Sequence, residues 1–374
     1  MDFYFDQIDL GIVRFARKRR WDLISGMRHT HRLPRREKGL EGVIASVTRP
    51  ETQAWLEELG VPVVNVLATR TPGGERWPAV LSDYYGMGRA GARHLRERGL
   101  QRLVFYQMAH GEDSDAILRG FADGAAEAEQ PWRHINFDMK WAGSAAQPTP
   151  TRDERIHWLQ GQLAGLPVPF GIMSEDDRFA QDVLVACEIL GLRVPEDVAV
   201  IGCDNTPLGT EAAWVPLSSV DAGYCQVGQA AARLLEVLME GGEVPHRTTV
   251  PSPGLVIRKS TSVFYSADAP FAEARNFIAG HFRDPLRVEQ IARHSGLSVA
   301  ALQRRMREEA GTTVAGEIHR LRLDEAARLL AGSTLKLDSI AAECGFVTGR
   351  RLCTVFRKAY HTTPAAWREA HWQA

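Results

Sequence analysis

Arg287-Val-Glu-Gln-Ile-Ala-Arg-His-Ser-Gly-Leu-Ser-Val-Ala-Ala-Leu-Gln-Arg-Arg-Met306 and Leu337-Asp-Ser-Ile-Ala-Ala-Glu-Cys-Gly-Phe-Val-Thr-Gly-Arg-Arg-Leu-Cys-Thr-Val-Phe356 repeat one pattern. Each copy has a small residue where two helices can approach, Ala292 and Ala341. Four residues on comes a glycine, Gly296 and Gly345, where the turn needs a positive φ. An apolar plug follows at once, Leu297 and Phe346. Core positions four apart come next: Leu302 and Met306, then Leu352 and Phe356. The second copy has one extra residue in its turn. One such pattern alone fits many helical hairpins. Two in tandem, between residues 285 and 368, predict paired helix-turn-helix units and point to the reading of DNA.

Between the copies, Leu321, Leu323, Ala326 and Leu330 give one continuous helix an apolar face that would fix the spacing of the units. Units about 34 Å apart would enter successive major grooves on one side of a duplex. The candidate DNA-binding residues are Gln303, Arg304 and Arg307 in the first unit, and Arg350, Arg351, Thr354, Arg357 and Lys358 in the second. Arg can grip guanine at two points, and Gln can do the same for adenine. The plainer reading of any one Arg is a solvated charge or a phosphate contact. Thr363-Pro364 predicts a helix start, with Thr as the cap. Gly349 opens the second recognition helix, where it would cost up to about 1 kcal/mol against Ala if fully helical. A less rigid second unit, adding more to affinity than to specificity, is the expectation.

The chain has 374 residues, enough for two or three domains. Its 44% apolar and 24% charged content describes an ordinary globular protein. No apolar run reaches the ~18 residues of a membrane span. The acidic start Met-Asp-Phe-Tyr-Phe-Asp is not a signal peptide, and a cytoplasmic location is expected. Five scattered cysteines without CxxC spacing fit a reducing compartment and do not make a zinc site; no metal or cofactor is expected. The net charge of −1 hides an asymmetry: from Phe271 onward there are 16 Lys+Arg against 11 Asp+Glu, and before it 29 against 35. A basic tail on an acidic body suits a nucleic-acid binder.

The first 265 residues alternate short apolar strands with amphipathic helices. Strands are predicted at 42–47, 61–66, 79–83, 102–107, 134–137, 170–174, 198–203 and 218–221, with a closing strand-like stretch at 254–257. Helices are predicted at 7–19, 51–59, 86–98, 115–129, 152–163, 178–190 and 224–240. This βα alternation predicts an α/β body of parallel sheets in two lobes, with a ligand cleft between them, followed by an all-α domain with two helix-turn-helix motifs. The expected division is a sensing body over 1–264, a linker over 265–271 and a DNA-binding domain over 272–374. Residues 142–151 read as a loop, and His29 and His31 as exposed groups in an Arg-rich loop.

Asp197-Val-Ala-Val-Ile-Gly-Cys-Asp-Asn205 resembles the strand-and-turn signature of the lactose-repressor/periplasmic-binding family. Pro216-Leu-Ser-Ser-Val220 and Leu255-Val-Ile-Arg-Lys-Ser-Thr261 resemble later signatures of that family. Arg322-Leu-Asp-Glu-Ala-Ala-Arg-Leu-Leu330, Gly345-Phe346 and Thr363-Pro364 resemble the arabinose-regulator (AraC) family. A sensor body followed by this tail, with the ending Val355-Phe-Arg-Lys-Ala-Tyr-His-Thr-Thr-Pro364, is similar to the xylose-regulator family. The resemblance implies a transcription regulator, an activator in the family's manner, that binds double-stranded promoter or operator DNA under control of a pentose such as D-xylose. It also implies a homodimer and, for an activator, contact with RNA polymerase. Family members open with a strand, whereas here residue 7 already reads as helical. Either the start lies upstream or the sheet lacks a strand; the upstream start is the expectation, because a missing central strand would leave unpaired edges.

Sugars are held by carboxylates that accept hydroxyl hydrogen bonds and by aromatic faces. The resemblance puts Asp83, Asp176, Asp177 and Asp204 toward the ligand, with Tyr4, Tyr84 and Trp214 as stacking groups. The plainer reading of Asp177 and Asp204 is a helix cap or turn former. An Arg usual in the family is replaced by Ile117, which removes a fork of donors and leaves open a DNA-binding regulator whose degenerate sensor serves only for pairing. Gly86-Met-Gly-Arg-Ala-Gly91 matches GxGxxG, but Asp83-Tyr-Tyr separates it from the strand. A nucleotide-dependent enzyme resting on that motif is the remote alternative.

Overall fold

The computed structural model describes residues 3–24, 39–47, 50–66, 76–108, 111–127, 131–137 and 150–371. The loop at 142–151, save its last two residues, and His29 and His31 lie outside these. Two sheets form the body. Strands β1 (Val43–Ala45), β2 (Val63–Val66), β3 (Ala79–Ser82) and β9 (Arg247–Val250) lie in the order β1-β2-β3-β9, all parallel. The second sheet has the order β10-β8-β7-β6-β4-β5. It contains β4 (Leu103–Gln107), β5 (Trp132–Asn136), β6 (Phe170–Ser174), β7 (Val198–Asp204), β8 (Ser218–Asp221) and the antiparallel β10 (Gly254–Val256). In β7, Val198 through Cys203 are all buried, as the middle of a parallel sheet covered on both faces requires.

Helices α1 (Phe3–Arg19), α2 (Pro50–Leu59) and α8 (Tyr224–Met239) belong to the first lobe; α1 packs on α8, and α8 on β1, β2, β3 and β9. Helices α3 (Tyr84–Glu97), α4 (Glu112–Ala126), α5 (Arg152–Leu163), α6 (Asp177–Ile189) and α7 (Pro207–Glu211) belong to the second. The chain crosses between lobes three times: at Asp83, over 222–223 and over 251–253. These crossings are stitched together. Asp83 N–H donates to the Val250 carbonyl at 2.9 Å, and Ser252 Oγ to the Asp221 carbonyl at 2.5 Å. Gly223, at φ +70°, donates its N–H to Asp221 Oδ1 at 2.8 Å.

The glycines of 86–91 serve this packing. A Cβ on Gly88 would lie 2.0 Å from the Ile117 carbonyl oxygen, where α3 meets α4. On Gly86 it would strike Asp83, whose Oδ1 caps α3 by accepting the Gly86 N–H at 2.9 Å, and on Gly91 it would strike Met173. The motif is spent on helix contacts, not on a phosphate turn.

The tail contains α9 (Ala269–His281), α10 (Val288–His294), α11 (Val299–Glu308), α12 (Val314–Gly332), α13 (Leu337–Glu343), α14 (Gly349–Tyr360) and α15 (Pro364–His371). Two apolar cores sit on either end of α12. Phe271, Ile278, Ile291, Leu302, Met306 and Leu321 form one; Leu323, Leu330, Ile340, Phe346, Leu352 and Phe356 form the other. Gly296 and Gly345 have φ of +70° and +75°, as the turns demand. Thr363 Oγ1 accepts the Ala366 N–H at 3.1 Å and starts α15. Gly349 is not the weak point that the sequence suggests. It is buried, donates its N–H to Asp338 Oδ1 at 3.0 Å, and a Cβ there would lie 2.4 Å from that oxygen.

The segment that joins body to tail is docked on both. Asp268 already caps α9, and Tyr265 N–H donates to the Arg98 carbonyl at 2.6 Å. Phe264 exchanges hydrogen bonds with Asn276 at 2.7 and 3.1 Å. Its ring, 2% exposed, lies between two guanidinium groups: Arg98 of the body at 4.2 Å and Arg275 of the tail at 3.7 Å.

Replacing Gly88 with Ala is expected to destabilise the body by about 1–3 kcal/mol in urea unfolding, the usual cost of forcing a methyl group into a packed contact. Unchanged stability would show that α3 and α4 do not touch as closely as described.

Candidate functional site

At the crossings, the carboxyl ends of β3, β7 and β8 converge with the start of α8. Asp204 ends β7 opposite Asp221, and the Tyr224 hydroxyl, from the other lobe, donates to Asp204 Oδ1 at 2.7 Å. Tyr4 of α1 lies 5.9 Å from the Tyr224 ring, and Tyr84, which opens α3, is within electrostatic reach of Asp113 and Asp204. Gln7, Asn205, Cys225, Gln226 and Pro253 complete the wall of a small cavity around Asp204, Asp221 and Tyr224. Burial, then the Asp176 carboxylate, pushes the Asp204 carboxyl up to about 7, although the Tyr224 hydrogen bond and Arg178 pull the other way. Burial and Asp204 likewise raise the Tyr224 hydroxyl well above its ordinary range.

The backbone here is held off its usual path. Asp204 and Asn205 have φ of +95° and +55° in succession. Such conformations are uncommon outside glycine and persist where surrounding bonds fix them. Asn205 is so fixed: its amide donates to Asp221 Oδ2 at 3.0 Å, and its Oδ1 accepts from Arg258 at 2.9 Å.

The expected ligand residues separate into four groups. Asp204, Asp83, Tyr4 and Tyr84 come together around the crossings, with Asp83 also capping α3. Asp176 caps α6, accepting from the Arg178 and Phe179 N–H groups at 2.6 and 3.0 Å, and holds the Arg178 guanidinium with its second oxygen. Asp177 is 1% exposed; Oδ1 accepts from Ser219 at 2.6 Å and Oδ2 from Thr206 N–H at 2.8 Å. It is a latch between α6, β8 and the turn after β7, which corrects its placement toward the ligand. Trp214 precedes the amino end of β8, the end opposite Asp221, and is 57% exposed. The turn carries it away from the crossings, so it does not cover a ligand there. Sequence reading missed Tyr224, Asn205, Asp113 and Arg178. Tyr224 meets Asp204 because the chain crosses back at 222–223, Asp113 and Arg178 come from the starts of α4 and α6, and Asn205 is the next residue along the chain.

Ile117, in the place of the expected Arg, is 4% exposed and packs in the core beneath α3. Arg119 is exposed on the outer side of α4. The guanidinium within reach of both Asp204 and Tyr4 belongs to Arg178 at the start of α6.

In the tail, Gln303, Arg304 and Arg307 are exposed on α11, while Leu302 and Met306 fill the core. Arg350, Arg351, Thr354, Arg357 and Lys358 are exposed on α14. Both helices begin on a side-chain cap: Ser298 accepts the Ala301 N–H at 3.1 Å and Thr348 the Arg351 N–H at 3.2 Å. Arg304 and Glu308 pair loosely at 3.8 Å with both side chains mostly in solvent, which leaves the guanidinium available. Thr354 Oγ1 donates to the Arg350 carbonyl at 3.0 Å and so retains its accepting capacity.

Residues 92–261 match the periplasmic binding protein-like domain family, and residues 291–370 match a helix-turn-helix domain family. The chain is 32% identical to the xylose operon regulatory protein of Escherichia coli K12 over 339 residues, covering 88% of this chain and 84% of that one. The protein of that name from Haemophilus influenzae is 25% identical over 338 residues, with 88% and 85% covered. The solved structure of the xylose-binding transcription activator xylR matches with a TM-score of 0.55 at 28% identity, covering 99% of this chain and 96% of that chain. These relatives are transcription regulators, not enzymes. Joining a two-lobed sensor to a double helix-turn-helix tail, the chain belongs to the xylose operon regulatory protein family of DNA-binding transcription regulators.

Proposed function

We infer that D-xylose, or a closely similar pentose, binds at the crossings between the lobes and sets how α11 and α14 engage operator DNA. The observation that carries this is the course of α3. Its first residues, Asp83 and Tyr84, lie at the crossings; its end, Glu97 and Arg98, lies against the tail. Asp204 and Asp83 would accept sugar hydroxyls, Arg178 would donate the fork absent at Ile117, and Tyr4 and Tyr84 would cover the ring. Asp176 would act through Arg178. Gln303, Arg304 and Arg307 would enter one major groove from α11, and Arg350, Arg351 and Thr354 the next from α14. Arg357 and Lys358, near the end of α14, suit phosphates.

The protein would act in the cytoplasm as a homodimer and as an activator that touches RNA polymerase. Leu208 and Trp214, 55% and 57% exposed on one short segment, offer an apolar surface for pairing. A second reading, a sensor that only pairs, draws on the buried Ile117.

Asp204 gives a pH test. Its folded pKa lies above the ordinary carboxylate value, so its contribution to stability is complete below about pH 4 and is lost as pH rises through about 7. The sugar-free chain should therefore melt lower at pH 8 than at pH 5. Asp204→Asn should remove part of that slope; Asp177, raised by burial in the same direction, keeps the rest. D-xylose should raise the melting temperature of the native chain more at pH 8 than at pH 6, because ionised Asp204 accepts hydroxyl hydrogen bonds better. An equal rise in Asp204→Ala would remove this residue from the site. No rise at any pH with D-xylose or other pentoses would favour the second reading.

Phe264→Ala tests the coupling. D-xylose binding by calorimetry and DNA binding by anisotropy should each survive in this variant. The sugar-dependent change in DNA affinity, expected at about 5–150-fold for a coupling of this kind, should collapse toward one. A sugar response equal to that of the native chain would show that the signal travels elsewhere.

A further inference from the structure

The two helix-turn-helix units differ by one residue in the turn, and the structure identifies it. Between Gly296 and the capping Ser298 stands only Leu297. Between Gly345 and the capping Thr348 stand Phe346 and Val347. Phe346 is 6% exposed and joins the core of its unit, as Leu297 packs against the other. Val347 is therefore the surplus residue. It is 95% exposed, far more than any other large apolar side chain among the described residues.

Its position gives this exposure a meaning. Val347 directly precedes the cap of α14, the end of a recognition helix that meets base edges. Exposed Arg350 and Arg351 follow on the first turn. A valine on such a face can neither hydrogen-bond a base nor pair with a phosphate. The apolar group that a major groove presents to it is the 5-methyl of thymine. We propose that Val347 is a specificity-determining residue that reads a thymine methyl in the groove entered by α14. The first unit has no counterpart, so the thymine is required in only one of the two segments. The inference rests on α14 being a recognition helix, and it gives the second unit a role in specificity.

The test uses the full chain, with D-xylose present and absent, and a duplex recovered by repeated selection from a random pool. Each thymine is replaced in turn by deoxyuridine, which removes only the methyl group. For the native chain, one replacement in the segment contacted by the second unit should weaken binding about fourfold, the worth of one buried methyl. Val347→Ala should bind the thymine and deoxyuridine duplexes equally at that position, with unchanged thermal melting. Three results overturn the proposal: no thymine is sensitive in the native chain; Val347→Ala keeps the native sensitivity; or Val347→Ala weakens every duplex alike, the mark of packing on the sugar-phosphate backbone. Arg350→Ala/Arg351→Ala separates the two levels of failure. If that variant keeps native affinity and sequence preference, the recognition-helix reading fails. If it loses them while Val347→Ala changes nothing, only the present inference fails.

Discussion

One phenylalanine ring clamped between two cations joins the halves of this molecule. Phe264 has Arg98 on one face and Arg275 on the other, and the ring is almost wholly out of water. Burying two like charges together is unfavourable unless carboxylates answer them. Here they do. Arg275 reaches Glu317 at 3.3 Å, Arg320 holds Glu317 at 3.0 Å and Asp324 at 2.9 Å, and Tyr360 donates to Asp324 at 3.2 Å. Burial and the neighbouring Arg320 and Arg275 draw the Arg98 guanidinium down to about 9, so it remains charged at neutral pH. The network spans α3 of the body and α9, α12 and α14 of the tail. A tilt of α3 would draw Arg98 from the Phe264 ring and the Glu97 carbonyl from the buried Arg275 guanidinium.

That constraint gives α3 its function as a rod. Its fourteen residues cover about 21 Å at the rise of an α-helix. The contact of Gly88 with the Ile117 carbonyl, and of Gly120 with that of Tyr85, seats α3 on α4 without intervening side chains. Such a pair moves as one body. The crossings are the opposite case. Gly223 and the 251–253 segment are places where a small backbone rotation reorients a lobe. Rigid transmission therefore begins where the soft part ends, at the cap formed by Asp83.

The local features were legible in the sequence and the non-local ones were not. The helix-turn-helix units depend on residues within twenty of one another, and Gly296, Gly345, Leu302 and Phe356 stand where the pattern requires. Eight predicted strands also correspond to observed ones, because buried parallel strands are short apolar runs. Strand β9 escaped notice: Arg247-Thr-Thr-Val250 has three polar residues and becomes a strand only by pairing with β3. The contacts of residues 264 and 265 are non-local in the same way. Phe264 and Tyr265 look unpatterned until Arg98, Pro195 and Asn276 arrive from elsewhere in the chain. In the cleft, Asp204 could be read from its signature, but Asp177 carries the same chemistry and is used by the fold.

The tail touches both lobes, but unequally, and this decides what closure of the cleft can do. Against the second lobe it has the buried clamp at Phe264. Against the first it has Lys18 and Glu369, paired at 3.3 Å with side chains 75% and 77% exposed. An exposed pair of this kind contributes little and is screened by salt. When the lobes move, the tail must then follow the second lobe and let the first slide. The position of the tail relative to the first lobe would change, while the tail itself, with α12 between its two cores, stays rigid. Control would then fall on where the whole tail is carried, and the arrangement of α11 and α14 within it would remain intact.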